Sequence, residues 1–445
     1  MTTPPTHPFI IAPNRTLLTL TVPVIGSLIA EPLTGMVDTA FVAALGAAPL
    51  AALGVGTVAL SSAFWVFNFL QVGTQTEIAQ ALGRGEQQQA ARLNGLALVL
   101  SVLLSLLVMA LALPLLGPMA AALGAEGAVQ RDAVLYMQVR VFGTPAILAM
   151  ITCFGVLRGM QDMQTPLVVA VAVNVLNIAL DALLVFGAGP IPALGIAGAA
   201  LASVLSQWLG ALWVVVLVLR RLGLPDRVRL SDAYRLLHIG GDMFLRTGLL
   251  ILFLLLTTRV ATLGGAETGA AHQVIRQVWL FTGLLLDAFA ITGQSLVAYF
   301  VGAGWLAQAR RVAFVVCAWS VGTGTLLALL MLAGQAGVIR LFVPPAAVEM
   351  FVPAWLVAVV VQLSNALAFA TDGIHWGTGD FAFLRNVMFL STLVGGVALL
   401  LIDPAAPAAL TLIWLATLGW SVIRAVLGVA RIWPGIGNSP LRDRR

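Results

Sequence analysis

Along this chain apolar residues gather into twelve long blocks, and almost all of the charge falls in the short connections between them. A block of about 20 apolar residues, rising about 1.5 Å per residue, is long enough to cross a bilayer as a helix. The blocks predict helices over residues 16–42, 49–76, 92–117, 131–155, 165–187, 195–219, 235–263, 268–297, 309–334, 350–374, 383–402 and 408–431. Turn-forming clusters such as "GAGPIPALG" separate several of them. These runs do not have the weak alternation that marks a membrane β-barrel.

The connections carry a second pattern. Arg84 and Arg92, Arg158, the group Arg220, Arg221, Arg227, Arg229 and Arg235, then Arg310 and Arg311, and Arg385 all follow even-numbered blocks. Arg442, Arg444 and Arg445 end the chain, whereas Arg131 is offset by Glu126 and Asp132. Basic loops stay on the cytoplasmic side, so the expectation is an inner (plasma) membrane protein with both termini in the cytoplasm.

The two halves also repeat. "QTEIAQALGRGEQQQAAR", from Gln75, aligns without gaps to "QSLVAYFVGAGWLAQARR", from Gln294. Gly155, Gly159 and Asp162 return as Gly373, Gly377 and Asp380. Six helices per repeat is an even number, so both repeats enter the membrane from the same side. The expected fold is an all-α membrane protein of twelve transmembrane helices, in two parallel six-helix repeats around a central cleft. Residues 1–219 would form an N-lobe, 220–234 a cytoplasmic linker, and 235–445 a C-lobe with a short basic tail.

Composition agrees with the blocks. Of 445 residues, 60% are hydrophobic and 9% charged, with mean hydropathy +1.02. A water-soluble protein of this size needs more polar surface than that. The basic balance reflects topology, not a nucleic-acid partner. Cys153 and Cys317 lie in apolar blocks, and His7, His238, His272 and His375 are scattered, so no disulfide or metal framework is expected. The first block reads as a retained helix, since no cleavage site follows a short apolar core.

Against this background the polar residues inside blocks are the chemical candidates, because each charge there costs about 2.5–3.5 kcal/mol. Glu31 and Asp38, seven apart, share one face of the first helix. Asn174, Asn177 and Asp181 form one stripe on the fifth. Counted from the helix ends, Asp38, Asp181 and Ser203 fall at a common level in the outer half of the bilayer. Two neighbouring carboxylates can hold a proton, or Na+ with Asn177 and Ser203 as neutral oxygen ligands. At the repeat offset Asp38 and Asp181 correspond to Leu256 and Leu399, so the acidic site belongs to one lobe. Pro23 and Pro32 interrupt the first helix and give it places to bend. Met36, Trp279, Phe281 and Phe289 would line a cavity between lobes for a bulky substrate. In the second half, His272 with Arg276, Asp287 and Asp372 are further candidates, Arg276 and Asp287 as an ion pair. Glu77 is expected at the cytoplasmic end of the second helix, in a solvated or turn-capping role.

"VPVIGSLIAEPLTGMVDTAFV", "NVLNIALDALLVFG", "GIAGAALASVLSQ" and "LLLDAFAITGQSLVAYFVGA" resemble the multidrug and toxic compound extrusion (MATE) family, in its bacterial DinF-like branch. The resemblance covers essentially the whole chain. It implies a cation-coupled antiporter that exports cationic, often aromatic, compounds. Asp38, Asn177, Asp181 and Ser203 then match the family's first-lobe cation site, and Pro23 its bending proline. Glu31 departs from the uncharged residue usual there and inherits no role. The resemblance implies no cofactor beyond a coupling proton or Na+. Its partners are small organic cations or amphipathic molecules and membrane lipids, and the expected working form is a monomer. A lipid or lipid-linked oligosaccharide flippase is the alternative, disfavoured by the acidic site. An intramembrane enzyme lacks a nucleophile–base or metal set.

Overall fold

The computed structural model describes residues 7–442 apart from 66, 188 and 225–229, and the side chains of residues 31, 61–65 and 230–233 lie outside the described set. Glu31 as a site residue, and most of the expected linker 220–234, therefore fall outside what the structure describes. Among the described residues sixteen α-helices follow one another: α1 (Pro8–Ile11), α2 (Pro13–Ala43), α3 (Ala47–Trp65), α4 (Asn68–Gly83), α5 (Gln87–Ala112), α6 (Leu116–Ala122), α7 (Gly127–Val141), α8 (Thr144–Gly159), α9 (Gln164–Phe186), α10 (Gly195–Leu222), α11 (Leu230–Leu263), α12 (Ala266–Gly302), α13 (Leu306–Phe342), α14 (Val348–Thr378), α15 (Phe381–Leu400) and α16 (Ala409–Ile432).

Over its described residues every block expected from the sequence is mainly helical. Among the described residues ten helical segments are long and apolar enough to span a membrane, and the pair α7–α8 supplies an eleventh, bent by 51°. The remaining block is divided into α3 and α4. The α7–α8 bend has a local cause: Gly143 and then Pro145 in the first turn of α8 restart the helix. One backbone acceptor at the bend, the Phe142 carbonyl, takes the Trp208 indole N–H at 3.0 Å.

The two prolines of α2 behave differently. Pro23 and Pro32 lie inside one continuous helix of 31 residues, so neither interrupts it, contrary to the sequence expectation. Each still lacks an N–H, which frees the carbonyls of Thr19 and Leu28 from their helical partners.

The chain divides into two compact units, Pro23–Gly240 and the combination of Met1–Val22 with Gly241–Arg445. Packing thus departs from chain order. Helix α2 changes unit after Val22 and α11 after Gly240, two positions separated by the same offset as Gly155 and Gly373.

Within each unit the repeated residues perform equivalent tasks. In the first unit Gly155 and Gly159 bring α8 against the backbone of Gln71 and Gln75 on α4. In the second, Gly373 and Gly377 bring α14 against Ala290 and Gln294 on α12. A Cβ at Gly159 would stand 2.8 Å from the Gln75 carbonyl oxygen, and one at Gly377 2.6 Å from that of Gln294. Small residues four apart are a common way for membrane helices to pack closely. Gly85 and Gly304 end α4 and α12 at φ of +75° and +77°, a conformation that favours glycine.

The repeated acids close the same end of each unit. Asp162 pairs with Arg221 in the last turn of α10, and Asp380 pairs with Arg431 in the last turn of α16 at 2.8 Å. Glu77 is buried and not solvated, held by Arg235 at 2.9 Å within the first unit.

Candidate cation-binding site

Four helices of the first unit bring the acidic residues together. Asp38 lies on α2 and Asp181 on α9, and their carboxyl groups face one another within hydrogen-bonding reach. Two ionised carboxylates have no donor between them, so the contact becomes a hydrogen bond only when one carries a proton. Asp181 is fully buried and Asp38 half-buried. One oxygen of Asp38 and both oxygens of Asp181 have no hydrogen-bond donor among the described residues. Asn177, one turn before Asp181 on α9, is buried and its amide nitrogen also lacks a partner.

Ser203 is buried on α10, which packs along α9. That approach depends on Gly198, which sits against the Leu184 backbone with no room for a Cβ. The Leu194 N–H donates to the Leu184 carbonyl at 2.9 Å and fixes the start of α10 against the end of α9. Asn174 has a linking role, its amide donating to the Ala30 carbonyl of α2 at 2.9 Å, beside Pro32. Met36, on the same helix, is exposed.

One member of this cluster was missed in the sequence. Arg140 ends α7, and its positive charge acts on both Asp38 and Asp181. Its guanidinium donates to the Gln207 side-chain carbonyl at 2.9 Å, one turn beyond Ser203 on α10. The available signal was the arginine itself, standing inside the expected fourth block.

The second-unit candidates separate. Asp372 is buried between Arg246 and Arg424, the latter at 2.7 Å. Arg246 lies over the Trp376 ring and Arg424 over the Trp420 ring, 5.0 and 4.4 Å from the ring centres. Arg276 and Asp287 do not form the expected pair. Both lie on α12, eleven residues apart, so about 16 Å of helix separates them. The Arg276 guanidinium instead meets Gln273 at 3.3 Å. His272 is buried on the same helix. Trp279 and Phe289 are buried in cores of the second unit, which corrects their expected place in a cavity lining; Phe281 is exposed. Leu256 and Leu399, the repeat counterparts of the two acids, belong to the apolar core of that unit.

Comparison with known proteins agrees with this architecture. The family model described as MatE matches residues 23–183. Protein DETOXIFICATION 44, chloroplastic, of Arabidopsis thaliana is 31% identical over 437 residues, covering 94% of this chain and 81% of that protein. DNA damage-inducible protein F of Escherichia coli is 29% identical, covering 96% and 93%. A probable multidrug resistance protein NorM of Deinococcus radiodurans is 32% identical, covering 86% and 87%. Among solved structures, a MATE crystal structure in the bent conformation superposes with a TM-score of 0.85 at 19% identity, over 94% of both chains, which speaks for the fold. On the strength of these full-length relatives, the chain belongs to the multidrug and toxic compound extrusion (MATE) family, whose members are multi-span membrane transporters and not enzymes.

Proposed function

We propose that this transporter is a proton-coupled antiporter that expels cationic and amphipathic organic compounds across the plasma membrane by alternating access. The observation that carries the reading is the facing pair Asp38–Asp181, in which one oxygen of Asp38 and both oxygens of Asp181 have no donor among the described residues. A proton taken up there fills the missing donor position and removes the repulsion between α2 and α9. Asn177 and Ser203 complete the polar lining of the site. Asn174 ties α9 to the Ala30 carbonyl beside Pro32, so a change at the acid pair reaches the segment of α2 with free carbonyls.

Coupling needs the proton to bind the two conformations unequally, since equal affinity shifts nothing. Protonation from the outer side is assigned to the substrate-expelling step, and release inward to the reset. The names of the NorM relatives support small organic substrates, and the acidic site supports a cationic group on them. The loop arginines support cytoplasmic termini.

The test is efflux of a fluorescent organic cation from proteoliposomes under an imposed proton gradient or an imposed Na+ gradient. The proton gradient is expected to drive efflux. Asp38→Asn and Asp181→Asn are each expected to abolish it, with the thermal unfolding of the purified protein retained. Efflux driven only by Na+, or undiminished in both variants, overturns the reading.

A further inference from the structure

The second unit contains a polar interior of the opposite kind. Three neighbouring helices, α12, α14 and α16, carry His272, Arg276, Trp279, Gln362, Asn365 and Trp414. Apart from Arg276 these side chains are more than nine-tenths buried, with His272 3% exposed, Trp279 6%, Trp414 2%, and Gln362 and Asn365 0%. Both tryptophans belong to one continuous core, together with Ile275 of α12, Val361 of α14 and Ile413 of α16. The His272 ring lies 5.8 Å from the Trp414 ring.

Their polar atoms are largely unanswered. Neither ring nitrogen of His272 and neither amide atom of Gln362 has a partner among the described residues. The same holds for the indole N–H groups of Trp279 and Trp414, the amide nitrogen of Asn365 and Nε of Arg276. Asn365 uses its carbonyl on the Ser421 hydroxyl, 3.1 Å away. A neutral imidazole offers one donor and one acceptor, so this group presents six open donor atoms against two open acceptor atoms. Asp372, two turns beyond Asn365 on α14, cannot balance them, because Arg246 and Arg424 already engage it.

Buried donors left open are costly and rare in native interiors. Water supplies donors and acceptors in equal measure. A donor excess of this size is met by a group made mainly of acceptors. We propose that His272, Trp279, Gln362, Asn365 and Trp414, with the charge of Arg276, form a binding site for the anionic end of an aromatic or amphipathic molecule, a carboxylate or a phosphate. The two indole rings supply its apolar walls. The site is separate from the acid pair of the first unit, where open carboxylate oxygens predominate. The repeat does not reproduce it: at the offset relating Gly373 to Gly155, Gln362, Asn365 and Trp414 fall on Thr144, Ile147 and Ile196.

The experiment uses the purified full-length protein, with thermal unfolding and equilibrium binding as readouts. 2-Naphthoate, inorganic phosphate and the matched cation 2-naphthylmethylammonium are the soluble probes. Nanodiscs of phosphatidylglycerol or of phosphatidylcholine test a lipid phosphate as the source of the anion. Gln362→Met and Trp414→Phe remove open donors while keeping volume or ring. Expected is a rise in unfolding temperature with 2-naphthoate or with phosphatidylglycerol, and binding at least fivefold weaker in both variants. A shift with phosphatidylglycerol alone assigns the site to lipid, and one with 2-naphthoate assigns it to a soluble molecule. Without ligand, Gln362→Met should unfold no lower than the unsubstituted protein, because it loses an amide that has no partner among the described residues, whereas Trp414→Phe also leaves a cavity in the core and is judged by its own shift on adding ligand. No shift with any anionic probe, an equal shift in both variants, or tighter binding of the cation than of naphthoate overturns the proposal.

Discussion

Single residues here do opposite work according to whether water reaches them. Asp162 lies at the end of α8, outside the spanning segments, and its Arg221 partner is well exposed. Burial alone would lift its carboxyl, but hydrogen bonds from the Thr165 hydroxyl and backbone N–H, and then Arg221, outweigh burial and hold it below the usual carboxylate range. A group depressed in the folded state stabilises fully above its unfolded value and loses that stabilisation as pH falls through the folded value. Asp162→Asn is therefore expected to lower the unfolding temperature at pH 7, with the difference shrinking steadily below about pH 4. Thermal unfolding of both proteins from pH 7 to pH 3 measures this; a difference that persists undiminished in acid would contradict it. The sequence made the membrane acids conspicuous because a carboxylate in an aliphatic block has few reasons to be there, and Asp38 and Asp181 indeed meet. It did not make their neighbour Arg140 conspicuous. That arginine stands inside an apolar block, and its contact with Gln207 lies just before the bend between α7 and α8.

Elements expose what the repeated letters were for. Gln75 with Gly159, and Gln294 with Gly377, were matched positions in an alignment, and in the folded chain each glycine faces the carbonyl of its glutamine. Backbone on both sides leaves no flexible side chain to yield. Gly159→Ala and Gly377→Ala are expected to destabilise by about 1–3 kcal/mol each, the usual scale of overpacking. Gly322→Ala, in α13 with nothing within 4 Å of the added carbon, is the control and should be neutral or stabilising by up to about 1 kcal/mol. Unfolding measurements on all three proteins decide this, and equal stabilities would remove the close crossing as the reason for the repeat. Helix existence was legible throughout because block length alone separates a spanning helix from a strand. The breaks were not: α3 and α4 sit in one apolar block, and hydropathy carries no mark of an interruption that keeps the polarity unchanged. Conversely, Pro23 and Pro32 looked like breaks, yet α2 runs through both. A proline removes one donor and crowds one carbonyl, and helix on either side can tolerate that when neighbours such as Asn174 supply other contacts.

On the scale of the whole molecule, the sequence repeat and the division into units almost coincide, and the mismatch is systematic. Two helices change unit midway, α2 at Val22–Pro23 and α11 at Gly240–Gly241, and these positions are themselves repeat equivalents. Chain order does not show this, because the boundaries expected from the sequence lie at loops and both changes fall inside helices. The residues at the changes are the ones that weaken a helix: a proline in one, a glycine pair in the other. Gly240 has a packing reason, since a Cβ there would press within 3 Å of the Phe69 ring of α4. Gly241 has none; nothing lies within 4 Å of the position. An alanine should therefore fit at 241 without displacement and stiffen α11, by about 1 kcal/mol of helix propensity. Alternating access, as proposed, asks the helices shared by both units to flex where they change unit. Gly241→Ala is then expected to raise the unfolding temperature and to slow proton-driven efflux several-fold, with substrate affinity unchanged. Gly248→Ala, two turns away on the same helix and equally open, should raise stability without slowing efflux. Initial rates in proteoliposomes alongside unfolding curves separate the two effects, and an unslowed Gly241→Ala protein that is nonetheless more stable would show that the glycine at the change of unit is not where the helix bends.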